Sequence, residues 1–72
     1  MTLFDAPLSK LLTVLHVSPS RPERASRLAA MGVVSGVDII VRQRRPALIV
    51  EYGETTLAMD GEIAADIAVA IA

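Results

Sequence analysis

A chain of 72 residues has room for one domain with one thin core, because short chains bury a smaller share of their surface on folding. Seven basic and eight acidic side chains leave a formal net charge of −1, so no whole-molecule field draws the chain to nucleic acid or anionic lipid. The lack of cysteine removes disulfides, thiolate metal sites, iron–sulfur ligation and thiol nucleophiles together, and no stretch approaches the ~18 apolar residues of a membrane span.

The hydrophobic content of 53% is high for so short a chain. Either the core is densely used or some apolar surface meets a partner. The apolar residues are mainly Ala, Val, Ile and Leu, with Phe4 and Tyr52 the only aromatics, which suits a small barrel interior and suits base stacking poorly.

Residues 1–7 form a lead-in, mobile or ordered, whose Leu3 and Phe4 are positioned to cover a core edge, while Pro7 argues against a central strand starting there. Leu11 to Val17 is apolar, partly β-branched and bounded by Ser18-Pro19, and reads as a buried first strand. With Thr13 and His16 inside it and Asp5 ahead of it, this run is a poor signal peptide. Ser20-Arg21-Pro22-Glu23 has the spacing of a capping box, so a helix is expected to start there. Ala25, Leu28, Ala29 and Met31 give it a partly apolar face, and Gly32 stands where a left-handed C-terminal cap is wanted, with Val33 packing back.

After the Ser35-Gly36 turn, Val37, Ile39 and Val41 alternate with Asp38, Ile40 and Arg42 as a second strand. Pro46 breaks the charged stretch from Arg42 to Arg45, and Leu48, Val50 and Tyr52 then alternate with Ile49 and Glu51 as a third strand, forming a hairpin with the second. Gly53-Glu54 turns into a fourth strand, Thr55 to Met59. Beyond it, Ile63, Ile67 and Ile71 recur as on a helix while Ile67, Val69 and Ile71 alternate as on a strand, and periodicity does not decide between them.

Catalytic signals are weak. His16 is the sole histidine, and no glycine-framed serine or nucleophile elbow accompanies it. A metal site would need His16 together with distant carboxylates such as Asp38 or Glu51, and a rim histidine is the plainer reading. Asp60, Glu62 and Asp66 read as a helix N-cap with solvated charges in preference to an acid pair. The four glycines never reach the spacing of a nucleotide loop and are expected to supply positive-φ turns. Two surfaces remain as partner-binding candidates. One is the corner of Met31, Gly32 and Val33 past the helix cap, where a valine either staples the cap or faces a partner. The other is Arg42, Arg44 and Arg45, a local cluster of positive charge that serves either an acidic partner or solubility alone. Open barrel edges are a further docking element.

Taken as one block, Arg27-Leu28-Ala29-Ala30-Met31-Gly32-Val33-Val34-Ser35-Gly36-Val37-Asp38-Ile39-Ile40-Val41 resembles FeoA, the small accessory family of bacterial ferrous-iron transport. Leu28, Gly32, Gly36, Ile39 and Val41 occupy the family's helix, cap, turn and strand places, and Leu57-Ala58-Met59 with Ala64 to Val69 looks like its fourth strand, short helical turn and closing strand. The resemblance runs from about Leu11 onward. It implies a mainly β fold, an SH3-like barrel of five strands with a helix after the first, and it assigns the C-terminus as turn plus strand. The chain departs from the family near Leu8, where a glycine is often found, and around Arg45-Pro46, where the loop is shorter.

The same domain also ends iron-dependent repressors. This chain starts at a methionine with no helix-turn-helix ahead of the barrel, so a standalone accessory protein is the expectation. The resemblance further implies a cytoplasmic, non-enzymatic partner of the GTP-binding part of the FeoB transporter, with no cofactor, nucleic acid or membrane insertion. The alternatives are a metal-responsive module that binds ferrous ion or contacts a repressor, and a weakly self-associating structural barrel.

Overall fold

The computed structural model describes residues 1–18 and 22–72. They form β1 (Leu12–Val17), α1 (Pro22–Ala30), β2 (Asp38–Gln43), β3 (Leu48–Tyr52), β4 (Thr55–Met59), α2 (Gly61–Ala64) and β5 (Ile67–Ile71). The capping box expected at Ser20 lies outside the described residues.

Every strand pairing is antiparallel, in the order β4-β3-β2-β1-β5. The alternation read from β2 and β3 is realised in their burial. Ile39 and Val41 point inward from β2, and Leu48, Val50 and Tyr52 from β3, while Arg42 faces solvent. β1 is less enclosed than its continuous apolar run suggests, since Leu12 and Val14 are buried but Leu15 and His16 are exposed. The cause is a register shift against β5 between Val14 and His16, which breaks the two-residue period and turns neighbouring side chains to the same side.

α1 contributes one buried side chain, Leu28. Its end is a Schellman motif: the Val33 amide donates to the Leu28 carbonyl at 2.9 Å and the Gly32 amide to Ala29 at 3.0 Å. Gly32 has φ +89, a left-handed conformation strained for any side chain. Val33, 1% exposed, packs into the core with Leu28 and is therefore the staple. The Tyr52 hydroxyl donates to the Met31 carbonyl at 2.8 Å, satisfying an acceptor that the helix end would leave orphaned.

The C-terminal ambiguity resolves as turn plus strand. The Asp60 carboxylate accepts from the Ile63 amide at 3.0 Å and caps the single turn of α2, after which Ile67 and Val69 enter the core from β5. Glu62 and Asp66 both face Arg24 of α1, at 3.5 and 3.9 Å, so these acids tie α1 to α2 and to the turn that leads into β5.

Residues 1–7 are fastened along β5. The Leu3 amide donates to the Ile67 carbonyl, the Val69 amide donates to the Met1 carbonyl, and Thr2 bridges Ala68. Leu3 and Ala6 are fully buried, whereas Phe4 stays 55% exposed. The lead-in thus occupies part of the outer edge of β5. For β4 no backbone partner other than β3 occurs among the described residues, which leaves its outer edge open.

Candidate functional site

The helix corner and the β2–β3 connection are separate surfaces with different chemistry. At the corner the inward turn of Val33 leaves Met31, 37% exposed, and Val34, 42% exposed, as the apolar side chains on offer. Gly32 presents backbone beside Tyr52, whose Cε2 would stand 3.6 Å from a Cβ built there.

The three arginines have three different fates. Arg42 pairs with Glu51 across the hairpin, Nε to Oε1 at 3.0 Å. Both side chains are near half exposed, so the pair contributes at most about 1 kcal/mol. Arg44 is not a free tip charge: its guanidinium reaches back across the fold and donates to the carbonyl oxygens of Phe4 and Ala6. Arg45 is exposed and, among the described residues, makes no hydrogen bond or ion pair. It precedes a cis bond to Pro46.

Clamping the lead-in creates a third feature. A groove of about 600 Å³ opens between Phe4, the loop from Arg44 to Ala47, and the junction of β4 with α2. Leu48, Ala58 and Met59 supply apolar lining, and Asp60 and Gly61 complete the wall at the β4–α2 junction. Gly61 is the one glycine without a positive φ, contrary to the turn role expected for all four. The reason for a glycine there is space, because an added Cβ would lie 2.7 Å from Cε1 of the Phe4 ring. Sequence reasoning did not reach this groove. Its walls come from three distant segments, and the only local hint was Phe4, the sole phenylalanine, in the lead-in.

His16 sits exposed on β1 opposite Ala68. Among the described residues no three His, Asp or Glu side chains gather in a metal-holding group. No helix there is long and apolar enough to cross a membrane. The Asp5 carboxyl is held below its ordinary pKa, chiefly by the Thr2 backbone amide, which donates to it at 2.8 Å.

A family model described as the FeoA domain matches residues 1–71. The chain belongs to the FeoA family. This is an accessory family of ferrous-iron transport with an SH3-like fold, and not a known enzyme family. Among solved structures, the chain is similar to the FeoA protein of Stenotrophomonas maltophilia complexed with zinc, with 28% identity, a TM-score of 0.85, and coverage of 97% of this chain and 89% of that one. It is also similar to FeoA of Chlorobium tepidum, with 26% identity and a TM-score of 0.88 over 99% of this chain and 70% of that one. A manganese-dependent transcriptional repressor shares the fold at 19% identity and a TM-score of 0.87, and there this chain matches 40% of the longer protein. No curated protein matches the chain.

Proposed function

We propose that this FeoA-family chain is a cytoplasmic accessory protein that docks on the GTP-binding cytoplasmic part of a FeoB-type ferrous transporter and regulates transport without carrying out a reaction itself. The observation that carries this reading is the family match over residues 1–71. The surfaces proposed for docking are the helix corner of Met31, Gly32 and Val33 and the arginines Arg42, Arg44 and Arg45. Their physical support is uneven. Met31 offers exposed apolar area and Arg45 a cation with no partner among the described residues, whereas Val33, Arg42 and Arg44 already have partners within the chain and support these surfaces from beneath or beside them.

The test is affinity co-purification of the tagged chain from detergent-solubilised membranes at low and moderate salt, with Met31→Asp and Arg45→Glu variants alongside wild type. Both sites are exposed, so these variants should fold normally by circular dichroism. Recovery of the ferrous transporter with wild type, weakened by either variant, is the expected outcome. Recovery without the transporter would end the reading, and undiminished binding by both variants would remove the two surfaces. Gly32→Asp is a poorer probe, since strain at φ +89 would confuse lost contact with lost fold.

A metal-responsive role has less support, because the described residues gather no donor set around His16. Anaerobic titration with ferrous ion is expected to release no heat and leave Tm unchanged at micromolar metal.

A further inference from the structure

We infer that the groove beside β4 takes an extended segment of the partner protein bearing an apolar side chain next to a carboxylate, and that this segment adds as a strand to the open edge of β4. The inference rests on the accessory reading and specifies which part of the partner is held and how.

Four observations converge on that occupant. The groove is largely apolar, lined by Phe4, Pro46, Leu48, Ala58 and Met59, and its volume of about 600 Å³ falls within the size range of sites that enclose a small ligand. A buried apolar side chain is therefore the natural filling. The rim is cationic. Arg44 donates from Nη1 and Nη2 to the lead-in carbonyls, Arg45 has no partner among the described residues, and Asp60, also in the lining, directs one carboxylate oxygen into its own helix cap. Charge complementarity thus selects an acid near Arg45. β4, which lines the groove through Ala58 and Met59, has no backbone partner on its outer edge among the described residues, and its burial is the lightest of the five, with only Met59 buried. A chain lying along β4 satisfies those backbone groups as its side chains enter the groove, which is the β-augmentation mode of peptide recognition. An isolated small acid would leave that edge unpaired. Finally, the wall formed by Phe4 is built in at some cost: an aromatic ring is kept 55% exposed, clamped by Arg44 through the carbonyls on either side of Asp5, and it stands against Gly61, where no side chain obstructs it.

Two substitutions alter the groove without touching the core. Gly61→Ala suits a helix but places a Cβ where the Phe4 ring now stands, so the ring must swing and the wall is displaced. Arg45→Glu reverses the free charge. The experiment titrates isotopically labelled full-length chain, followed by NMR, with the purified cytoplasmic part of the ferrous transporter and, separately, with overlapping peptides tiled across it. The expected result is that the cytoplasmic part binds and that one acidic, apolar peptide shifts the amides of Phe4, Ala58, Met59 and Gly61. Arg45→Glu and Gly61→Ala should each weaken that peptide at least tenfold, and N-methylation of its backbone should abolish binding. If the cytoplasmic part binds while those amides stay still and both variants bind normally, the groove assignment is overturned and the accessory reading stands. If neither the cytoplasmic part nor any peptide binds, both are overturned.

Discussion

Ser9 has φ +61, a left-handed backbone conformation in a residue other than glycine, and its amide donates to the Val41 carbonyl at 2.9 Å. That conformation costs an L-residue about 1–2 kcal/mol. It falls one residue past Leu8, near which the resemblance read from the sequence leads one to expect a glycine. Ser9→Gly relieves the strain but adds freedom to the unfolded chain, so the expected net gain is up to about 1 kcal/mol, seen as a Tm rise of about 4–8 °C per kcal/mol for a domain of this size. A fall in Tm would mean that the Ser9 side chain makes a compensating contribution. Asp5 shows the complementary, pH-dependent case. Its folded pKa is depressed by the Thr2 amide, so its contribution is fully present above the ordinary carboxylate value and is lost as pH falls through the lower folded value. The Thr2 amide resonance should titrate with a midpoint below that of Asp in an unfolded peptide, and a midpoint at or above it would contradict the contact. Ser9 was not legible in the sequence, since its conformation goes with a bond to the distant Val41 carbonyl, whereas the Asp5 contact is local, three residues from Thr2, and escaped notice because no regular element surrounds it.

At the scale of elements, the features read correctly were those written in a few consecutive residues. The helix stop at Gly32, the alternation of β2 and β3, and the Asp60 cap each depend on local periodicity or a short-range hydrogen bond. The C-terminus was ambiguous because Ile63, Ile67 and Ile71 fit both periods, and tertiary pairing of β5 with β1 decided it. Arg44 marks the limit of such reading. A basic residue beside a proline break signals an exposed turn, and only the folded chain brings it to the carbonyls of Phe4 and Ala6, 40 and 38 residues away. Arg44→Ala should therefore cost about 1.5–3 kcal/mol, the range for hydrogen bonds involving a charged group, and speed amide exchange at Leu3, whose bond to Ile67 fastens the lead-in. Arg45→Ala should stay within about 0.5 kcal/mol of wild type. Equal effects in chemical denaturation would refute the division of labour. Tyr52→Phe removes the hydroxyl bond to Met31 and should cost about 1 kcal/mol.

For the whole molecule, composition left open whether the high apolar content fills the core or reaches the surface, and the structure shows both a continuous core and exposed apolar side chains. Phe4, Leu8, Leu11, Leu15, Met31, Val34 and Ile71 all remain substantially exposed. Fold class followed from the family resemblance together with the strand pattern, because no single segment specifies how five strands assemble into the antiparallel order β4-β3-β2-β1-β5. The groove beside β4 was invisible at this scale too, being assembled from the lead-in, the loop after β2 and the β4–α2 junction. The proposed accessory role requires that at least one of these surfaces be covered by the transporter. The most direct measurement is a binding isotherm of the purified chain on the ferrous transporter held in lipid nanodiscs, with empty nanodiscs as the reference. Saturable binding to the transporter discs, reduced by Arg45→Glu and absent from the empty discs, is the predicted result; equal signals on both, or none on either, would contradict the account.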